Sequence, residues 1–329
     1  MSTIFVGVGM AQHFLLSAAA RTLSLVTVAR MSDDEAHSAF RQIRWCDTGG
    51  EPVCPRCNCG AVYTFKTRKL YKCKACTHQF SVTSGTIFAS RKLAIRDYLL
   101  AIAIFVNGAK GHSALQLSRD INVQYKTAFV LTHKLREAMS AEMADMTVSG
   151  EVEIDGAYFG GHVRPANFKE NRVDRRLAKN QNGKRRVVVI MRERAGRTLP
   201  FVFKSEGASL ATIGRRVHPS ATVHADEALH WDELHTFYLT KRINHSEAYS
   251  DGQSCTNMAE SFFSRLRRAE IGTHHHIAGP YLNAYSSEMA WREDHRRVSN
   301  GEQYLMIASA ALAHPVSRLW KGYWQRRTG

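Results

Sequence analysis

The sequence has too few acids to balance its bases. Against 45 Lys and Arg it sets only 29 Asp and Glu in 329 residues, for a net charge of +16 and a pI near 9.7. That deficit disfavours a cationic partner and points to a polyanion, double-stranded DNA or another nucleic acid before an anionic membrane surface. Long apolar runs are missing too: none reaches the roughly 18 residues of a helical membrane span, so no membrane span is expected. The first thirty residues lack the positively charged start of a secretory signal, although Phe14-Leu15-Leu16 and Ala18-Ala19-Ala20 before Arg21 share some of its apolar character. Residues 1–40 are therefore expected to be an extension, disordered or mis-started, with Met31 of Met-Ser-Asp-Asp-Glu as an alternative natural start. Nothing here directs the chain out of the cytoplasm, where a DNA-bound protein would be nucleoid-associated. With 44% hydrophobic and 22% charged residues, the remainder is globular and long enough for two or three domains.

The seven cysteines fit metal better than disulfides. Cys54-Pro-Arg-Cys57 and Cys73-Lys-Ala-Cys76 are two C-x2-C knuckles fifteen residues apart, the spacing of a four-thiolate structural zinc site. Strand formers in Val62-Tyr63-Thr64-Phe65 predict a hairpin between them, and the metal substitutes for a core too small to hold alone. A closed site takes four ligands, so Cys59 and His78 are expected bystanders, and Cys46 and Cys255 ordinary thiols. Lys66, Arg68, Lys69, Lys72 and Lys74, interleaved with Phe65, Tyr71 and Phe80, suit contact with nucleic acid, although a solvated basic face has the same composition.

After Gly85 the period turns helical. Leu93, Tyr98, Leu99, Ile102, Ala103 and Val106 recur at three- and four-residue steps until Asn107-Gly108. Ser113 to Asp120, a turn at Ile121-Asn122-Val123, and Tyr125 to Met139 have helix-turn-helix proportions, with Lys126, Lys134 and Arg136 on the second helix as candidate DNA contacts. A plain three-helix unit would look similar.

From Gly150 onward strands alternate with helices, as in an α/β domain. In Glu151-Val-Glu-Ile-Asp155, Val152 and Ile154 point one way and Asp155, closing the strand, the other. A basic stretch from His162 to Arg186 reads as a mobile loop, followed by a hairpin of Val187–Met191 and Thr198–Phe203 turning at Ala195-Gly196. Ser209 to Val217 reads as a helix and Ala221 to Ala225 as a strand that delivers Asp226 to its end. Trp231 to Tyr238 reads as a helix, and Arg242 to His245 as a last strand. In Thr256 to Arg268, at about 100° per residue, Met258, Ala259, Phe262, Phe263 and Leu266 share one arc while Asn257, Ser261, Ser264, Arg265 and Arg268 share the opposite one. Glu260 and Arg267 meet at the border, a carboxylate beside a guanidinium. A surface helix with solvated charges satisfies the same pattern, but Asp155, Asp226 and Glu260 together form a set that could share two magnesium ions.

The chain resembles the zinc-ribbon DDE-type transposases of insertion sequences, the ISXO-two-like family, over roughly residues 40 to 300. The carriers are the two cysteine knuckles with the run to Phe88, Tyr125-Lys-Thr-Ala-Phe129 with His133-Lys-Leu-Arg136, and Glu153-Ile-Asp155-Gly-Ala-Tyr158-Phe-Gly-Gly161. His224-Ala-Asp226, Thr256-Asn-Met-Ala-Glu260-Ser-Phe-Phe-Ser264 and Gly272-Thr-His-His-His276 complete them. The resemblance implies an RNase H-like (retroviral-integrase-like) α/β domain with a mixed sheet at 146–300; the residues place the zinc ribbon at 41–90, the helix-turn-helix at 91–145 and a helical tail at 301–329. The resemblance also implies catalytic metal ligands at Asp155 and Asp226, a third at Glu260 with Asn257 as the reserve, and a DNA phosphate contact at Arg267, beside which Arg265 and Arg268 are further candidate DNA contacts. Gly156 departs from a pattern in which relatives often carry an acid. The implied activity is cutting of element ends and joining of the 3′-hydroxyl to target DNA, by a homo-oligomer with structural zinc and two catalytic magnesium ions. A zinc-ribbon regulator that only binds DNA, or an RNase H-like nuclease that cuts without joining, are the alternatives.

Overall fold

The computed structural model describes residues 14–161, 165–174, 177–180, 182–243 and 256–326. Helices α1 (Leu25–Ala29) and α2 (Asp33–Arg44) come first. A capping box starts α2: the Ser32 hydroxyl accepts the Glu35 N–H, and the Glu35 carboxylate accepts the Ser32 N–H. Ala36 and Phe40, one turn apart, are fully buried, so packed structure runs across the expected boundary at residue 40. The segment before α2 is tied down as well, since the N–H groups of Thr22 and Leu23 donate to Asn300 Oδ1.

The alternation in Val62–Phe65 does produce a strand. β1 (Val62–Phe65), β2 (Leu70–Cys73) and β3 (Gln79–Ser81) form an antiparallel sheet, with Lys69 taking the left-handed conformation at the hairpin. Tyr71 and Phe80 pack against Trp45 from the end of α2, which joins the ribbon to the helices behind it. The helical periods appear as α3 (Ile95–Asn107), α4 (Ala114–Asp120), N-capped by Ser113, and α5 (Tyr125–Glu142).

The second unit is built on β4 (Glu151–Phe159), β5 (Arg186–Glu193), β6 (Thr198–Phe203), α6 (Leu210–Arg216), β7 (Thr222–Asp226), β8 (Leu239–Ile243), α7 (Asn257–Ala269) and α8 (Leu282–Asp294). Its sheet runs β6-β5-β4-β7-β8; the first three strands are antiparallel and β4, β7 and β8 parallel, the mixed sheet that the resemblance implies. Period-two alternation splits it into two faces. Val152, Ile154, Val189 and Val223 pack on one face, whereas Ala157, Phe159, Val188 and Ile190 meet Phe262, Phe263 and Leu266 of α7 on the other.

Two expectations change. The helix expected at 231–238 forms two residues earlier, as a 3-10 helix over 229–236 with Trp231 and Leu234 buried on one edge. The C-terminal region is not a separate tail: α9 (Asn300–Ala313) returns to the first unit, where Tyr304, Ile307, Ala308, Ala311 and Leu312 share a core with Phe40, Leu99 and Leu135. Parts of the expected basic loop, including Arg164, Arg175 and Arg176, lie outside the described residues, as do Cys255 and the end of the strand expected at 242–245. Among the described residues no helix is long and apolar enough to cross a membrane.

Candidate active site and nucleic-acid interface

The cysteine knuckles close into one cluster. The sulfurs of Cys54, Cys57, Cys73 and Cys76 lie within 4.8 Å of one another, with Cys54–Cys76 at 3.6 Å and Cys57–Cys73 at 3.5 Å. Zinc–sulfur bonds of about 2.3 Å place tetrahedral sulfurs roughly 3.8 Å apart, so the donor set fits one zinc ion. Charge points the same way. The Cys76 and Ala75 N–H groups help pull Cys73 down to about 6, whereas Cys57, despite the Cys59 N–H that favours its thiolate, is held up to about 12 by the neighbouring thiols. Four thiols this close ionise together only around a cation. Cys59 and His78 stay outside the cluster: the Cys59 sulfur faces Ala61 O and His78 stacks on Phe80.

The carboxylates assemble from three elements. In the parallel β4/β7 ladder Glu153 pairs with His224, so Asp155 and Asp226, each two residues further on, leave neighbouring strands at the same level. Asp155 does not close its strand as expected. β4 runs on to Phe159 because β5 continues to pair with it, whereas its ladder with β7 ends at Glu153, and Asp155 sits where those two strands part. Such a parting beyond strand carboxyl ends is where open α/β sheets receive ligands. Burial first, and then the charges of Asp226, Glu260 and Glu206, push Asp155 up to about 7 against the pull of the Gly156 N–H. Carboxylate oxygens are the hard donors magnesium takes, whereas among the described residues only the four thiolates converge within 4.8 Å as a group that could hold an ion.

An open cleft of about 720 Å³ adjoins them, lined by Lys110, Asp155, Glu260, Arg267 and Arg268. Arg267 is exposed with its guanidinium over the Phe159 ring, and Arg268 is exposed between this cleft and a second, basic groove that includes Arg296 and Arg297. Asn257 is exposed in the first turn of α7, whereas Glu260 borders the cleft beside Asp155.

Three acidic and basic contributors were not evident from sequence. Glu153, fully buried, accepts the N–H groups of Met258 and Ala259 at 2.9 and 3.0 Å, while its other oxygen meets Arg194 Nε at 3.2 Å. A carboxylate at the free N–H groups and positive dipole end of α7 fixes the helix that carries Glu260. Its position two residues before Asp155, on the same strand face, was the available signal. Glu206, after β6, comes against Gly156, and Lys110, between α3 and α4, reaches the cleft from the first unit. Both depend on long-range folding that no local pattern encodes.

Other expected DNA contacts separate. Lys126, exposed at the N-terminal end of α5, lies 5.3 Å from the Trp324 ring, and Lys134 is half-buried. Arg136 is a correction: it is fully buried, its Nε donating to Glu288 at 2.6 Å and its guanidinium lying 4.0 Å from the Tyr285 ring, so it joins α5 to α8 instead of meeting DNA. Although burial alone would raise Glu288, Arg136 and Arg292 hold it down to about 2. Arg265 is paired with Glu293, which also binds Arg192, so its charge is largely committed within the protein. Of the histidine run, His274 packs against Tyr285, and burial pushes it down to about 4.

Residues 147–294 match the ISXO2-like transposase domain and residues 31–79 the transposase zinc-ribbon domain. Over 295 residues, 86% of this chain and 98% of the relative, the sequence is 24% identical to a Halobacterium salinarum (strain ATCC 700922 / JCM 11081 / NRC-1) protein described as an uncharacterized protein in transposable element ISH50. No solved structure matches the chain at a comparable level. Two matched domains in the right order, one holding the thiolate cluster and the other the carboxylate cleft, show that the chain belongs to the zinc-ribbon DDE-type transposases of insertion sequences, the ISXO2-like family.

Proposed function

We propose that this transposase cuts the ends of its insertion sequence and joins the freed 3′-hydroxyl to target DNA. The observation that carries the reading is that Asp155 and Asp226 lie two residues beyond the last β4/β7 pair, Glu153 with His224, while α7 brings Glu260 to the cleft that Asp155 borders. Asp155, Asp226 and Glu260 would hold two magnesium ions, which supply Lewis-acid activation of the attacking and leaving oxygens of an in-line displacement. Asn257 remains the reserve for the third position.

The chain's own part is to place the phosphodiester. Arg267 and Arg268 face the cleft and neutralise phosphate charge, and Lys110 adds a third cation from the helix-turn-helix side. Water first breaks the phosphodiester at the element end and leaves a 3′-hydroxyl; that hydroxyl then attacks a target phosphodiester, releasing one target 3′-oxygen. No side-chain nucleophile is needed. The exposed Lys126 end of α5 and the basic ribbon hairpin hold duplex DNA outside the cleft, and joining two ends calls for more than one chain in the working complex.

The test is a strand-transfer assay on DNA carrying the element ends, with magnesium, comparing the native chain with Asp155→Asn and Asp226→Asn. Joined product that disappears in both variants supports the reading. Undiminished joining would retire it, and cleavage without joining in the native chain would make the protein a nuclease.

A further inference from the structure

The chain after Glu302 holds four Lys and Arg and no acid, and it lies beyond the residues that match either transposase domain. Its last described part, 315–326, is built onto α5. Trp320 and Tyr323 pack with Phe129 of α5, and the Trp320 ring also meets that of His133, 4.4 Å between centroids. The hydroxyls of Tyr323 and Tyr281 hydrogen-bond, which ties the segment to the turn before α8. Trp324, in the 3-10 turn Tyr323–Gln325, donates its ring N–H to the Lys126 carbonyl at 3.3 Å, and the Lys126 ammonium lies over the same ring. The segment therefore ends against the first turn of α5, and in a helix-turn-helix it is the N-terminal end of the second helix that meets base edges. Burial along the segment has a period of three. Ser317 and Trp320 are buried and Tyr323 half-buried, whereas Arg318, Lys321 and Trp324 are exposed. Arg326 donates to the carbonyls of Arg318 and Lys321, so its guanidinium closes the turn while the other two cations face out. A row of exposed cations leading up to that helix end is complementary to the phosphates on either side of a groove.

We infer that the C-terminal segment is a second contact for duplex DNA: Trp324 docks it on α5, and Arg318 and Lys321 meet backbone phosphates beside the groove that α5 enters. This rests on the reading of the exposed end of α5 as a duplex contact, and gives a role to a segment outside both matched domains. Trp324 is then a positioning residue.

The salt dependence of DNA binding separates the two claims. Fluorescence anisotropy with short labelled duplexes of arbitrary sequence, over a salt series, compares the full, zinc-loaded native chain with Lys126→Gln, Trp324→Ala and the double variant Arg318→Gln, Lys321→Gln. Zinc content and circular dichroism check folding. Each phosphate contact contributes about 0.9 to the slope of log Kd against log salt, so the double variant is expected to lose about 1.8, equally on duplexes of different sequence. Trp324→Ala, which unpins the segment, is expected to lose part of the same slope. A native slope in the double variant, beside a reduced slope in Lys126→Gln, would overturn this assignment and leave the reading of α5 and the proposed function standing. Tighter binding by Trp324→Ala would overturn it too, since the segment would then be a cover over α5. A native slope in Lys126→Gln would overturn the reading of α5 itself. If the double variant fails to fold, Arg318→Gln and Lys321→Gln are measured singly, and native slopes in both refute the assignment.

Discussion

The thiolate cluster and the carboxylate cleft both suit metal, yet they are built in opposite ways. The four sulfurs come from one short ribbon, within 23 residues from Cys54 to Cys76, and close on one another within 4.8 Å. The carboxylates come from β4, β7 and α7, span more than a hundred residues, and raise one another's cost by repulsion. Local donors make a closed structural site, and distant donors held under strain make an open one where substrate phosphate can enter. The first gives its binding energy to folding; the second, under the proposed function, would keep it for chemistry.

The largest expected effect comes from breaking the closed site. Cys73→Ser is expected to abolish zinc retention and unfold the ribbon with the helices that share its core, because a structural zinc contributes on the order of 10 kcal/mol. Zinc content by atomic absorption and near-ultraviolet circular dichroism check it. If the open site is for catalysis rather than folding, Asp155→Asn should lower joining about a thousandfold while leaving the melting temperature unchanged or higher, since a repelled, partly buried charge is removed. A fall in melting temperature equal to that of Cys73→Ser would erase the contrast between the two sites.

The joint between the units offers a middle-sized effect. Arg136→Met leaves Glu288 with Arg292 alone and is expected to cost about 3 to 5 kcal/mol in denaturant unfolding. Glu153→Gln sharpens the comparison from the catalytic side: losing the ionised cap of α7 should cost about 1 to 2 kcal/mol and reduce joining roughly tenfold, without changing zinc content.

The smallest effect is a slope. Burial, helped by Arg136, holds His133 down to about 3, so the folded chain keeps this imidazole neutral where the unfolded chain, near 6.5, protonates it. Its contribution to stability is therefore full above 6.5 and is lost as pH falls toward 3, at no more than about 1.4 kcal/mol per pH unit. His133→Phe should flatten urea midpoints over that window.

Much of this was legible where the pattern is local. The knuckle spacing foretold the sulfur cluster, and the three- and four-residue steps from Leu93 to Val106 foretold α3, which ends at Asn107 as expected. The hairpin across Ala195-Gly196 also stands where alternation placed it. Arg136 shows where such reading ends. On a helical wheel it is a basic residue like Lys126, and only the arrival of α8, with Glu288 some 150 residues later, makes it an interior ion pair. Glu206 is invisible for the same reason: its meeting with Gly156 is fixed by the turn after β6 and by the sheet order, neither of which leaves a periodic trace.

The return of α9 to the first unit has a consequence for synthesis. Ribosomes deliver the first unit before the sheet of the second, but five of its interior side chains, Tyr304 to Leu312, are translated after that sheet. A nascent chain that stops before α9 would thus leave the core of the first unit open on the side that Tyr304, Ile307, Ala308, Ala311 and Leu312 cover.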